Sequence, residues 1–486
     1  MQRIEQIRRS LKAKAFARAE ALAIEGLRAN RLQPQLWVSL GEALLHRGYV
    51  GAARRCFDRA WLLDPEAHWV EEAAARLEGR ADGEERVDIE ALLRVPNASV
   101  AAAIIVKDEE RTIGRCIESL RGAVDRILVF DNGSTDRTPD IASSYEDVEL
   151  RRLEWEGSFG ELRNRAMSSI DADWVLWVDG DEWLHEEDRS AVKEAVGSYA
   201  SVPGPVVLNI WHLNYVGGLI RNDISQGRLF RLGQGLRYFG RIHEQVGSAE
   251  AGIYDPAIKR GTVRIRYHHI GYEPSVVRSK DKIRRNRDLL LEMTAEEPDN
   301  PGWWYFLGRE TLAGGWHSEA VESLRKALVL AKTQPRFGRS LDALTMLLRA
   351  YKELGDEEAA AGVYDEMLAS DPSHPNVRML WAEKKLEEAR ELLKRAGAHL
   401  DASLRSFSTY RGMVSADAGI REGRAELAKA EIAVHTGLLA EAYALYAPRS
   451  ARSAHAEERL GRIREQALRL SYKPIPAKRN ARRRNE

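Results

Sequence analysis

Five apolar residues, Trp174-Val-Leu-Trp-Val178, run directly into Asp179-Gly180-Asp181-Glu182. The run has strand length, is rich in β-branched and aromatic residues, and is flanked by helical patterns. With no polar position to turn toward water, it fits a strand covered on both faces, as in a mostly parallel sheet. Ligands of open α/β sheets sit beyond the carboxyl ends of strands, which is where these acids fall. Three carboxylates within four residues repel one another unless something positive joins them, and a hard divalent cation such as Mg²⁺, Mn²⁺ or Ca²⁺ suits oxygen ligands. An acidic turn leading into a helix would use the same residues, so the rest of the chain has to choose between the two.

The surroundings are built from two periodicities. From Val100 the chain alternates strand and helix. Ala101 to Val106 is an apolar strand ending at Lys107-Asp108-Glu109-Glu110, and Arg126 to Phe130 is a second, ending at Asp131-Asn132-Gly133-Ser134-Thr135-Asp136. Val148 to Leu153 is a third strand, Gly160 to Ser169 a helix, and Trp174 to Val178 the fourth strand. Short loops between them imply βαβ units. Beyond a helix near 186–199 the pattern loosens into strands at 206–211, 228–232 and 264–268, some of them candidates for antiparallel pairing.

On both sides the period is helical. Trp37, Leu40, Gly41 and Leu44, then Ala53, Phe57, Ala60 and Pro65, follow the tetratricopeptide spacing of a helical hairpin. Trp304, Leu307, Gly308, Ala320, Leu324 and Ala327 repeat it, with a further unit from Leu347 to Pro372 and a degenerate one from Ala430 to Tyr446. The expected organisation is helical repeats over 1–80, a linker at 81–97, an α/β domain over 98–274, helical repeats over 275–470 and a basic tail over 471–486.

Composition closes off several classes. Lys+Arg and Asp+Glu both number 74, so no net field draws the chain to nucleic acid. Cys56 and Cys116 are the only cysteines, far apart and both in predicted helices, which argues against a disulfide framework and for a reducing, cytoplasmic setting. No apolar run approaches the roughly 20 residues of a membrane span.

The ordered motifs of residues 98–295 resemble a bacterial family 2 glycosyltransferase of GT-A fold. They are Val106-Lys107-Asp108-Glu109-Glu110, Asp131-Asn132-Gly133-Ser134-Thr135-Asp136, Trp155, Phe159, Arg163-Asn164, Asp179-Gly180-Asp181-Glu182, Arg228–Arg231, Gly240-Arg-Ile-His-Glu244 and His269-Ile-Gly-Tyr272. More narrowly, they resemble the branch often fused to tetratricopeptide repeats, to which a bacteriocin-peptide S-glycosyltransferase also belongs. The expected fold is therefore an α/β GT-A (Rossmann-like) catalytic domain flanked on both sides by α-helical tetratricopeptide-repeat segments. One departure is Asp108, where the family usually has Asn.

The resemblance implies an inverting, metal-dependent transfer of a sugar from a nucleotide-diphosphate donor, with Mn²⁺ or Mg²⁺. It assigns nucleotide binding to Val106, Asp108, Asp131, Arg163, Asp179 and Arg228, and the cation to Asp181 and His269. Glu244 is the expected base, with His243 as an alternative base or ligand. Plainer roles exist for several of these residues. Asp131 suits a turn in its Asn-Gly-Ser loop, and Arg228 and Arg231, three apart in a strand, face opposite sides. Only one of His268 and His269 can readily face a cation. Repeat stacks bind extended peptides, so a protein or peptide acceptor is expected. A polysaccharide or lipid-linked acceptor, or a non-catalytic nucleotide-binding scaffold, is the alternative.

Overall fold

The computed structural model describes residues 2–270, 280–448 and 454–471. They group into two compact units, Met1–Asp356 and Glu357–Glu486. The first unit opens with helices α1 (Gln2–Lys12), α2 (Phe16–Ala29), α3 (Pro34–His46), α4 (Val50–Leu63), α5 (Val70–Leu77) and α6 (Val87–Leu93). Pro34 starts α3, where its fixed φ suits the first helical turn. Trp37, Leu40 and Leu44 of α3 are buried with Ala53, Phe57 and Ala60 of α4. Gly41 lets the two helices meet, because a Cβ there would lie 2.9 Å from Phe57 Cε1.

The α/β part follows, with β1 (Val100–Val106), α7 (Ile113–Leu120), β2 (Arg126–Asp131), α8 (Thr138–Ser143), β3 (Val148–Arg152), α9 (Phe159–Met167) and β4 (Trp174–Asp179). Next come β5 (Glu182–Leu184), α10 (Arg189–Tyr199), β6 (Val206–Val216), β7 (Leu219–Asp223), β8 (Gly227–Arg231), β9 (Leu236–Phe239), β10 (Gln245–Ser248) and β11 (Lys259–His269). Among the described residues one sheet has the order β3-β2-β1-β4-β8-β6-β11-β5, with β7 paired to β6, and β9 and β10 form a separate ribbon. The β3-β2-β1-β4 half is parallel, and β8 joins β4 antiparallel. This is the expected GT-A-like mixed sheet between helical flanks.

Both faces of the sheet are covered, as the apolar run of β4 requires. Trp174, Leu176 and Val178 join Ile104 of β1 and Ile117 and Leu120 of α7 in one core. Val175 and Trp177 join Ala101, Ala103, Phe130 and Ala166 of α9 in the other. The N-terminal helices pack against the sheet: Leu62 of α4 enters the first of these cores, and the Arg264 guanidinium of β11 lies 4.1 Å from the Trp61 ring centre. Within the expected linker, α6 buries Ile89, Leu92 and Leu93 among the N-terminal helices.

Helices α11 (Lys280–Glu296), α12 (Pro301–Ala313), α13 (His317–Ala331) and α14 (Ser340–Leu354) complete the first unit. The second holds α15 (Glu357–Ser370), α16 (Pro375–Phe407), α17 (Arg424–His435), α18 (Leu439–Tyr446) and α19 (Ala454–Ser471). Its hairpin α17–α18 buries the expected Ala430, Ala433, Ala442 and Tyr446. Helix α16 departs from the hairpin pattern. It runs unbroken for 33 residues, with Pro only at its start, a single Gly, and strong helix formers throughout. The expected junction at 274–275 and the basic tail beyond Ser471 lie outside the described residues.

The contact between α12 and α13 is tight enough to test. A Cβ on Gly308 would lie 2.5 Å from Leu324 Cγ. Gly308→Val is expected to destabilise the first unit by about 1–3 kcal/mol, read as a lower urea midpoint. An unchanged midpoint would mean that the two helices are not packed this closely.

Candidate active site

Strand register gathers the site. In the parallel ladder Val106 stands beside Asp131, and Ile105 beside Asp179, so β1, β2 and β4 end at one level. Gly180 allows the chain to turn there, because a Cβ would come within 2.8 Å of Val106 Cγ1. The next residues form β5 rather than a helix start. They pair antiparallel with β11, which sets Glu182 opposite His269, and β11 in turn sets His269 beside Asn214 of β6.

Asp179 is held by two arginines. Arg228 is bidentate, donating Nη1 to Oδ1 at 3.0 Å and Nη2 to Oδ2 at 2.6 Å. Arg163 of α9 donates Nη2 to Oδ1 at 2.9 Å and Nε to Glu244 Oε1 at 2.7 Å. Its guanidinium lies 4.8 Å from the Trp177 ring centre, and Nη1 is buried with no hydrogen-bond partner among the described residues. Glu182 is fully buried; it accepts the Asp179 N–H at 2.9 Å and lies 3.2 Å from His212 Nε2 and 3.6 Å from Arg228 Nη2. Burial opposes the charge on Asp179, but Arg228 and Arg163 outweigh it and hold the carboxyl well below its ordinary range. Glu182 is likewise lowered against its burial, chiefly by Arg228. Arg231 faces away, as the alternation of a strand requires, and donates to the carbonyls of Tyr199, Ala200 and Val202 behind α10.

Asp181 stands apart from this pairing. Its Oδ2 lies 3.3 Å from His269 Nε2, while His269 Nδ1 meets Asn214 Oδ1 at 2.8 Å. With Nδ1–H donated to an amide oxygen, Nε2 is the nitrogen presented to Asp181, the arrangement that orients a metal-binding imidazole. Burial pulls the His269 pKa down, but the Asp181 hydrogen bond and the charges of Glu182 and Asp181 raise it. Glu109 is a further acid that the sequence reading did not single out. Its Cγ would lie 3.1 Å from a Cβ on Gly180, and burial together with the charge of Asp181 raises its pKa to about 6. Among the described residues no three His, Cys, Asp or Glu side chains are grouped to hold an ion by themselves. A carboxylate oxygen and an oriented imidazole nitrogen fit a cation that takes its remaining ligands from phosphate and water.

The loop after β2 is braced from within. Asp131 is buried and accepts the N–H groups of Gly133 at 3.3 Å and Ser134 at 3.1 Å, which is the turn-forming role. Asp108 has φ 57°, a left-handed conformation that Asn and Asp adopt more readily than most residues. Its Oδ1 accepts from Thr135 N at 2.7 Å, and its own N–H donates to Ser134 Oγ at 3.0 Å. The exchange of Asn for Asp therefore keeps both the backbone requirement and the loop contact. Val106 is buried at the strand end, and its carbonyl accepts the Asn132 N–H at 3.0 Å.

Residues 102–221 match the model of glycosyl transferase family 2. The α/β part is a family 2 glycosyltransferase domain. The chain is 28% identical over 250 residues to the glycosyltransferase SunS of Bacillus subtilis, covering 51% of this chain and 58% of that protein. It is 26% identical over 277 residues to a TPR repeat-containing protein of Synechococcus elongatus, covering 56% and 66%. It is 30% identical over 172 residues to the lipopolysaccharide core biosynthesis glycosyltransferase LpsC of Rhizobium meliloti, covering 32% and 63%. The chain thus spans only part of the length of each relative.

Within the glycosyltransferase domain the two residues of the His-Glu pair diverge. Glu244 turns to Arg163. His243, expected as an alternative base or ligand, instead meets α12: Nε2 lies 3.0 Å from Glu310 Oε1, and Arg309 Nη2 lies 2.9 Å from the ring nitrogens. Both nitrogens are thereby engaged, leaving none for a cation or an acceptor proton. His268 likewise turns from the Asp181 side: Nε2 is 2.8 Å from His185 Nδ1, and Nδ1 is 2.9 Å from Tyr215 OH.

Neutralising Asp179 would leave two buried guanidiniums sharing one less charge. Asp179→Asn is expected to cost about 1–3 kcal/mol at neutral pH, the partly exposed carboxylate being screened by solvent, measured by urea unfolding. The wild-type carboxyl is lowered from 3.8. Its contribution is therefore full above that value and is lost as pH falls below it, so the gap between the two proteins should close in acid. A gap that does not change with pH would contradict the pairing.

Proposed function

We propose that this protein transfers a sugar from a nucleotide-diphosphate sugar to a protein or peptide acceptor, with inversion and with the help of Mn²⁺ or Mg²⁺. The observation that carries this reading is the array at the strand ends: Asp179 fixed between Arg228 and Arg163, beside a second carboxylate, Asp181, facing an oriented imidazole. The carboxylates hold both arginines in place, so guanidinium donors are preorganised next to where a leaving diphosphate develops negative charge. Asp181 and His269 would hold the cation, which when bound supplies Lewis-acid stabilisation of that diphosphate. Arg163 Nη1, unpartnered among the described residues, offers a donor on the same side. Asp131, Asp108 and Val106 shape the nucleoside end, with Asp131 and Asp108 acting through the loop that they brace.

Glu244 is the base in this reading. Arg163 holds Oε1 at 2.7 Å, which orients the carboxylate and leaves Oε2 for the acceptor proton. The repeats favour a protein or peptide acceptor. The likeness to LpsC favours a second reading, in which the acceptor is a saccharide.

A screen of UDP-, GDP- and dTDP-hexoses with Mn²⁺ or Mg²⁺ tests the proposal. Slow donor hydrolysis is expected, lost with chelator and reduced by about 100-fold or more in Asp181→Ala. No turnover with any donor, or full activity in Asp181→Ala, would overturn it. Removal of the second unit should spare hydrolysis and abolish transfer to protein; transfer to saccharide alone would favour the second reading.

A further inference from the structure

We infer that Glu310 of α12 is a positioning residue for the transfer reaction, acting through His243 to hold Glu244 on Arg163. This rests on the reading of Glu244 and Arg163 given above. The first C-terminal repeat is then part of the catalytic machinery and not only a platform beside it.

The segment 240–244 joins β9 to β10, and two helices contact it. The Arg241 carbonyl accepts the Phe159 N–H at 2.8 Å, at the start of α9, the helix that carries Arg163. His243 stacks on Phe306 of α12, with ring centres 4.8 Å apart and planes 28° apart. Gly240 has φ 97°, and a Cβ there would lie 2.8 Å from Trp303 Cη2, so the segment enters pressed against the repeat. His243 itself has φ 51°. A non-glycine residue stays in that region only where its surroundings over-determine it.

The surroundings here are polar where a repeat hairpin ordinarily has apolar residues. Glu310 is only 9% exposed, and a buried carboxylate needs partners. It has them: His243 at Oε1, and Asn286 Nδ2 at Oε2, 3.3 Å away. Burial opposes its charge, but His243 and Arg309 outweigh this and bring its pKa down to about 2. Burial, joined by Arg309, lowers the pKa of His243 against the raising effect of its Glu310 contact. A neutral imidazole can serve both neighbours in one form only, with Nε2–H donated to Glu310 and Nδ1 accepting from Arg309. The residue after His243 is Glu244, so the conformation that this contact enforces sets where the base stands.

The full chain tests this, using whichever UDP-, GDP- or dTDP-hexose is hydrolysed fastest with Mn²⁺. Glu310→Ala is expected to lower kcat by roughly 10- to 100-fold, the scale of an ångström-level misplacement, with KM for the donor nearly unchanged. Glu310→Gln keeps an acceptor oxygen for Nε2–H and should recover most of the rate. In a His243→Ala background Glu310→Ala should cost nothing further. The ¹⁵N spectrum of the imidazole gives a readout independent of turnover: the Nε2–H form in wild type, lost in Glu310→Ala and kept in Glu310→Gln. Additive losses, no rescue by Gln, or an imidazole signal that ignores Glu310 would overturn the inference. A wild type inert toward every donor would sink the functional reading instead, and the imidazole signal alone would still decide whether Glu310 holds His243.

Discussion

The site depends on one carboxylate shared by two arginines. Asp179 ends the central strand, Arg228 reaches it from the antiparallel neighbour β8, and Arg163 reaches it from α9. Three separate elements are thereby tied at the end of the central strand. The arrangement is costly in isolation, because buried ions lose their hydration, and it holds because every charge has a geometrically sound partner. Glu182 beneath and Glu244 beyond extend it, so removing any one member would leave the others uncompensated. Such a network fixes its polar groups in place without the reorganisation that solvent would require.

The neighbouring acids have separate tasks. Asp179 spends both oxygens on arginine, whereas Asp181, two residues on, faces an imidazole oriented by Asn214. The intervening Gly180 makes the turn possible because Val106 leaves no room for a side chain. A further layer lies outside the sheet. The segment after β9 is held by both α9 and α12, so a helix that belongs by pattern to the repeats touches the residue next to Glu244.

Much of this was legible in the sequence. The short, largely apolar runs and their helical interludes pointed to the parallel half of the sheet, and the spacing of Trp37, Gly41 and Phe57 to a packed hairpin. The opposed faces of Arg228 and Arg231 followed from strand alternation alone. What escaped was whatever depends on pairing between distant segments. Strand β5 is three residues long and exists because β11 pairs with it, so no local pattern announces it. Glu109 lies in a motif noted for its strand end, and its place against Gly180 comes from the turn after β4. His243 read as a partner of Glu244 because the two are adjacent; its positive φ sends the side chains to different helices. Glu310 carried no signal, being one acid in a helix whose other buried positions are mostly apolar or small.

In the function proposed above, Asp181 and His269 form half of a cation site that a nucleoside diphosphate completes. Two side-chain donors bind a divalent ion weakly, and phosphate oxygens supply the rest. Calorimetric titration of Mn²⁺ into the full chain, with and without saturating UDP, GDP or dTDP, measures this coupling directly. With at least one of the three nucleotides, Mn²⁺ affinity is expected to rise by about tenfold or more, with a reciprocal gain in nucleotide affinity. Equal Mn²⁺ affinity with and without every one of them would contradict it.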